Sequence, residues 1–150
     1  MDIQSVGTWF VEHNESELTI SSFAELKKII SQAEGVDSGR LWIGVDGGPR
    51  PWWHRLLGTQ PRYVNSLFSL EWFGQYASLI FHDENWSEYR VIDKEYPVTP
   101  DEGTRLKIAQ GEKQPNLIEE CMNKERAFTA ISEFIKTGAK PTWLTYHLVK

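Results

Sequence analysis

Residues 123–149 read NKERAFTAISEFIKTGAKPTWLTYHLV, and this stretch decides how the C-terminal part of the chain folds. Its apolar side chains recur at helical spacing and fall on one stripe, namely Ala127, Phe128, Ile131, Phe134 and Ile135. Asn123 suits the N-cap, and Gly138 followed by Pro141 ends the pattern. We therefore predict an amphipathic helix with a buried apolar face, followed at once by a strand over Thr142–Val149.

The rest of the chain reads as a second amphipathic helix and a series of strands. Ser22 and Glu25 form a capping box, and a helical stripe continues from Phe23 to Ala33 before Gly35 stops it. Residues 49–61 hold three prolines and read as a long loop, a class that is often functional. Strands are predicted over Val6–Glu12, Arg40–Val45, Tyr63–Leu70, Gln75–His82, Glu88–Asp93 and Arg105–Gln110.

Two helices that bracket consecutive strands are typical of an α+β domain. A parallel sheet is disfavoured, because the middle of the chain offers no crossover helix. The sequence has no internal repeat or linker that would divide it. We predict one domain over residues 1–150, with a mainly antiparallel β-sheet packed by an N-terminal and a C-terminal amphipathic helix.

Composition narrows the class of protein. The net charge of the 150 residues is −5, which disfavours phosphate binding and favours a protein partner with a basic surface over nucleic acid. Cys121 is the single cysteine and cannot form an internal disulfide. The first residues show neither a basic leader nor a long apolar run, so we expect a cytoplasmic protein with no membrane span. A domain of this size needs no cofactor to explain its stability.

Sequence motifs for catalysis and metal binding are missing. The four histidines are isolated from one another and from carboxylates at ligand spacing, so no metal site is predicted: His13, His54, His82 and His147. The sequence has no G-x-S-x-G elbow, Walker loop or G-x-G-x-x-G turn. It also lacks the P-C-x-x-C motif that the zinc deaminases combine with H-x-E, since the chain has one cysteine. We expect a protein without catalytic residues, in which Cys121 is a small buried side chain.

The C-terminal pattern resembles that of a known family. An A-F-x-x-I-x-x-F-I helix over residues 127–135, then T-G-x-x-P and a short aromatic-rich strand, is similar to the closing segment of the first-described immunity family of bacterial polymorphic toxin systems. Where members often end on P-x-x-aliphatic-x-Trp, this chain has Pro141, Leu144 and Tyr146. The resemblance implies inhibition by binding, with a cognate toxin domain, expected to be a deaminase, as the partner.

Three of the seven tryptophans, Trp52, Trp53 and Trp86, fall in predicted loops. An exposed aromatic residue flanked by polar groups has the composition of a binding hot spot, so these three are candidate toxin-binding residues. The alternative is that they fold back over the core as loop plugs. One feature favours nucleic-acid binding instead, namely side chains that could stack on bases: Arg50, His54 and Arg55.

Acidic residues concentrate in two places and complete the candidate toxin-binding set. One group surrounds Trp86 and the other precedes the final helix: Asp83, Glu84 and Glu88, then Glu119 and Glu120. Together they could present negative charge to the basic, substrate-binding mouth of a toxin, where substrate phosphates would lie. The alternative for each residue alone is an ordinary solvated surface acid.

Two other functions stay open. A small enzyme would use the loop around Trp52 and Trp53 as a lid and His54 or His82 as a base. A regulatory or scaffold module would bind some other protein through the same surface.

Overall fold

The computed structural model describes residues 7–58, 62–83, 85–108 and 120–149. They form an eight-stranded antiparallel sheet and three α-helices, which confirms the predicted α+β class. The strands are β1 Trp9–His13, β2 Ser16–Ile20, β3 Ser38–Pro49, β4 Arg62–Phe73, β5 Tyr76–His82, β6 Glu88–Ile92, β7 Met122–Asn123 and β8 Thr145–Leu148. The α-helices are α1 Phe23–Glu34, α2 Glu102–Ile108 and α3 Lys124–Thr137, and a 3-10 helix covers Trp52–Leu57.

The strand order is β2-β1-β3-β4-β5-β6-β8, with β7 paired to β5 beside this path. The two longest strands, β3 and β4, pair from Ser38↔Phe73 to Pro49↔Arg62. Alternate residues of a strand point to opposite faces of its sheet. One face of this sheet is therefore lined by apolar side chains, and the other carries most of its charged and polar side chains.

The helices α1 and α3 cover the apolar face of the sheet. Most of the predicted stripe is buried, and Ala130 is buried in addition to it: the buried residues are Leu26, Ile30 and Ala33 in α1, and Ala127, Phe128, Ala130, Ile131, Phe134 and Ile135 in α3. Ring centroids of Phe81 and Phe134 lie 4.9 Å apart, and those of Trp72 and Phe128 lie 5.2 Å apart. Removing a buried aromatic ring of this kind costs about 3–5 kcal/mol, so α3 is fixed against the centre of the sheet.

The helix ends follow the predicted capping chemistry. The Asn123 side chain accepts a hydrogen bond from the Arg126 N–H at 3.1 Å, and the Ser22 hydroxyl accepts one from the Glu25 N–H at 3.4 Å. Gly138 has φ 73°, and its N–H donates to the Phe134 carbonyl. Only a residue without a β-carbon adopts this left-handed conformation without strain, so glycine ends α3 at this position.

The prediction of a strand over Arg105–Gln110 is wrong, because Glu102–Ile108 is the helix α2. The Asp101 carboxylate accepts a hydrogen bond from the Thr104 N–H at 2.6 Å, which caps the first turn. The alternation of polar and apolar residues in this short segment also fits a strand, so periodicity alone misled the assignment. Gln110 lies outside the described residues.

Other differences concern the lengths and places of strands. The stretch His13–Glu17 reads as a polar turn, yet Ser16–Ile20 forms the edge strand β2. The strand expected at Thr142–Val149 is shorter, over Thr145–Leu148, because residues 142–144 form a turn. Within the predicted long loop, the 3-10 helix occupies Trp52–Leu57.

Among the described residues, every helix is too short or too polar to cross a bilayer.

Candidate functional site

The connection between β3 and β4 is the most exposed apolar part of the described chain. We call residues 50–58 the β3–β4 tip. Its 3-10 helix leaves four large apolar side chains open to solvent, with exposed fractions of 76% for Trp52, 49% for Trp53, 77% for Leu56 and 70% for Leu57. These values exclude the alternative that the two tryptophans plug the core, and they place both on the surface.

Local contacts hold the β3–β4 tip in one conformation. Before it, Gly48 takes φ 99° and donates its N–H to the Asp46 carboxylate at 2.9 Å, at a register shift of the hairpin. Within it, the Arg50 guanidinium lies 5.0 Å from the Tyr63 ring, and the His54 ring meets the same tyrosine edge-on at 6.3 Å. After the helix, Gly58 takes φ 74°. Arg50 and His54 thus tie the tip to Tyr63 of β4, while its four large apolar side chains stay exposed.

Strand pairing shows that the tip projects from the sheet. On one side, the last pair between β1 and β3 is Trp9↔Val45, which lies beside Asn65 of β4. On the other side, the last pair between β4 and β5 is Phe68↔Phe81. Strand β4 continues from Asn65 to Arg62 for roughly 10 Å past the last β1 pair, and from Phe68 to Arg62 for roughly 20 Å past the last β5 pair, at 3.3–3.4 Å per residue. The tip begins beyond that distance.

The turn between β5 and β6 presents the third candidate tryptophan. Trp86 is 71% exposed and has φ 66°, a left-handed conformation that is strained for a bulky residue. The Asp83 carboxylate organises the turn by accepting hydrogen bonds from the N–H groups of Asn85 and Ser87, both at 2.9 Å, and from the Tyr89 hydroxyl at 3.2 Å. These bonds, the one to Ser87 first, hold the pKa of Asp83 below its ordinary value.

The role of Asp83 is therefore to fix the turn that displays Trp86. Its carboxylate already accepts three hydrogen bonds within its own turn, so it differs from the open surface acid expected from the sequence. Glu84 lies outside the described residues.

Two of the acidic candidates are buried, which corrects the expectation that they meet a partner. Glu88 is 7% exposed and Glu120 is 1% exposed. Glu120 lies 3.6 Å from the guanidinium of Arg90, which is 2% exposed, and 2.9 Å from Nδ1 of His147. Carboxylates enclosed in this way compensate a buried cation and cannot touch another protein. Glu119 lies outside the described residues.

The polar face of the sheet holds a small cavity that Ser69 helps to line. The cavity is about 160 Å³, and the side chains around it include Glu12, Arg40, Trp42 and Ser69. The Ser69 hydroxyl lies 3.3 Å from Nε2 of His82.

A carboxylate lies on the other side of the His82 ring, since Nδ1 of His82 is 3.9 Å from Oε1 of Glu88. This separation is too long for a hydrogen bond. His54, the other base candidate, sits at the tip between Trp53 and Tyr63, and Tyr63 lies six positions from Ser69 along β4.

Sequence reasoning missed Leu56 and Leu57 in the tip and Arg90 in the polar face. An apolar pair beside two tryptophans in a proline-rich loop was the available signal for the leucines. For Arg90, the signal was its spacing from Glu88, because residues two apart in a strand share a face. Neither signal shows whether the side chains concerned are buried or exposed.

Within residues 7–58, 62–83, 85–108 and 120–149, no three His, Cys, Asp or Glu side chains converge as metal ligands do. Cys121 is buried, and its burial raises the pKa of the thiol. In comparisons with protein-family models, curated proteins and solved structures, no significant match to the chain was found. The resemblance to an immunity family therefore stays a prediction that rests on the sequence pattern.

Proposed function

We propose that the protein is an immunity protein that binds a cognate bacterial toxin domain and blocks it by occlusion, with the β3–β4 tip as its main contact. The exposed apolar surface of Trp52, Trp53, Leu56 and Leu57 carries this proposal. Tryptophans at the centre of an interface dominate binding energy in many complexes. The C-terminal sequence pattern adds the class of partner, a toxin that is expected to be a deaminase.

The size of the tip sets what it can contribute. An aromatic side chain buries 150–250 Å², so the exposed parts of Trp52 and Trp53 amount to on the order of 250 Å². A stable interface buries about 800 Å² on each partner. The tip would supply the energetic centre, while the hairpin flanks and the turn that displays Trp86 would supply surrounding contacts.

The test is co-expression of the protein with the toxin domain encoded beside it, followed by size-exclusion chromatography and calorimetry. Wild type should protect the cells and form a one-to-one complex. Since losing a hot-spot side chain costs at least about 2 kcal/mol, Trp52→Ala should weaken the Kd by about 30-fold or more. Leu18→Ala is the matched control, because Leu18 is 49% exposed on the edge strand β2.

Continued killing in the presence of the wild-type protein, with no complex on the column, would reject the immunity function. Equal loss of affinity in the Trp52 and Leu18 variants would leave toxin binding in place but remove the tip as its centre.

A second candidate function is that of a small enzyme with Ser69 as its nucleophile and His82 as its base. The contact between Ser69 and His82 at 3.3 Å favours it. A histidine within hydrogen-bond reach of a hydroxyl is the arrangement that activates a serine nucleophile. A fluorophosphonate probe should then label the wild-type protein and fail to label Ser69→Ala and His82→Gln. A wild-type protein that the probe leaves unmodified would exclude this function.

A further inference from the structure

The β3–β4 tip differs in charge from the rest of the chain. Residues 50–58 contain Arg50, His54 and Arg55 and no aspartate or glutamate. The net charge of the whole chain is −5, so the remainder is more acidic than that value. The nearest acid along β3 is Asp46, which is half-buried and bonded to the Gly48 N–H. The exposed apolar patch thus belongs to a segment of net positive charge on a negative protein.

The distance between the tip and the body decides which charge a partner meets. Exposed charges separated by more than the Debye length, about 8 Å at physiological salt, are largely screened from each other. The hairpin extends roughly 10 Å beyond the last β1 pair and roughly 20 Å beyond the last β5 pair before the tip begins. A surface that touches the tip therefore interacts with its arginines more than with the acidic body.

The helix geometry decides what shape of surface can cover the apolar side chains. A 3-10 helix has three residues per turn, so successive side chains point about 120° apart. Trp52, Trp53 and Leu57 then point in three different directions, and Leu56 shares the direction of Trp53. A flat surface can cover one of these directions. All of them are covered only when the partner surrounds the tip.

We infer that the β3–β4 tip inserts into an enclosed apolar cleft of the toxin domain, and that the rim of this cleft is acidic. This rests on the proposed function and names the chemistry of the partner surface. It also reverses the expectation from net charge, which favoured a basic partner surface. A membrane with anionic lipids would attract the same arginines, but it is flat and leaves two of the three directions uncovered.

Charge reversal tests the rim. Replacing Arg50 and Arg55 together by glutamate should weaken the Kd for the purified toxin domain by at least about 10-fold at low salt, and high salt should narrow the difference. Replacing Lys27 and Lys28 by glutamate is the matched control, because it changes the net charge equally on exposed positions of α1. This control should stay within about 2-fold of wild type.

Because Arg50 packs on Tyr63, Arg55→Glu is measured alone as well, and thermal unfolding of each variant checks that the fold is kept. If wild type binds and the tip reversals bind equally well, the acidic rim is refuted while the proposed function stands. If wild type fails to bind, the proposed function itself fails.

Alanine substitutions test the enclosure. Trp52→Ala, Trp53→Ala and Leu57→Ala each remove the apolar side chain from one of the three directions. Trp53→Ala and Leu57→Ala should each weaken the Kd by about 10-fold or more, in addition to the effect of about 30-fold expected for Trp52→Ala. If only one of the three substitutions weakens the Kd, the enclosed cleft is refuted. Sedimentation of wild type with phosphatidylserine vesicles, abolished by Trp52→Ala, would assign the tip to membranes and overturn the inference.

Discussion

The buried pair of Arg90 and Glu120 gives the sharpest prediction for stability. Arg90 is 2% exposed and Glu120 is 1% exposed, and their nearest charged atoms lie 3.6 Å apart. Glu120→Gln keeps the volume of the side chain and removes its charge. Breaking a buried ion pair by deleting one partner costs about 3–5 kcal/mol, because the other charge stays buried without compensation.

Two further carboxylates place this variant at the lower end of that range. Glu71 and Glu88 also raise the pKa of Arg90 by their charge, although desolvation lowers it overall. The Ser78 hydroxyl accepts a hydrogen bond from the same guanidinium. We therefore expect a loss of about 3 kcal/mol. With a urea m-value of about 2 kcal/mol/M, the midpoint of unfolding should fall by about 1.5 M.

The assay is urea unfolding at neutral pH, followed by tryptophan fluorescence and circular dichroism. The comparison is Arg90→Met, which leaves both Glu88 and Glu120 buried without their cation and should therefore lose more stability than Glu120→Gln. A loss below about 1 kcal/mol in Glu120→Gln, or an Arg90→Met variant that is more stable than Glu120→Gln, would refute the reasoning.

Three further outcomes follow from the same structure. Gly138→Ala places a β-carbon at φ 73°, so it should cost about 1 kcal/mol and lower the Tm by about 2–4 °C in a melting curve. Because the pKa of Asp83 is lowered, its stabilisation of the turn is present above pH 3.8 and is lost as pH falls through the pKa of the folded state. Asp83→Asn should therefore speed amide hydrogen exchange at Ser87 at neutral pH, and an unchanged exchange rate would contradict this. Burial raises the pKa of Tyr146 to about 12, so the stability that its neutral hydroxyl contributes is present below pH 10 and falls as pH rises towards 12. The absorbance difference between wild type and Tyr146→Phe should titrate with a midpoint near pH 12, and a midpoint near 10 would contradict the assignment.

The elements that sequence predicted well are those whose signals are local. The helix α3 has a stripe, an N-cap at Asn123 and a glycine stop at Gly138, all within one segment. The helix α2 has only seven residues and buries Ile108 alone, so its periodicity carries little information. The edge strand β2 has four exposed residues out of five. Pairing with β1 holds it in place, and the alternation of Leu18 and Ile20 with polar residues is too short to separate a strand from a turn.

The candidate functional residues were likewise predictable only where their signal in the sequence is local. Trp52, Trp53 and Trp86 became candidates because proline, glycine and polar neighbours mark their loops, with folding back over the core as the alternative, and the structure places all three on the surface. The burial of Glu88 and Glu120 was not predictable. The burial of Glu120 depends on Arg90 of the distant strand β6, and the burial of both carboxylates depends on the cover over the polar face of the sheet, which is not a local property of the sequence.

The arrangement separates the residues that hold the fold from those that would hold a partner. The core lies between the sheet and the helices α1 and α3, and the buried ion pair lies on the opposite face of the same sheet. The tip side chains Trp52, Leu56 and Leu57 are more than two-thirds exposed, so replacing them removes little buried area. Such substitutions should leave the free energy of unfolding within about 0.5 kcal/mol of wild type. A loop of this kind can change its contacts without a cost to folding, which is what the proposed recognition of one toxin among many would require.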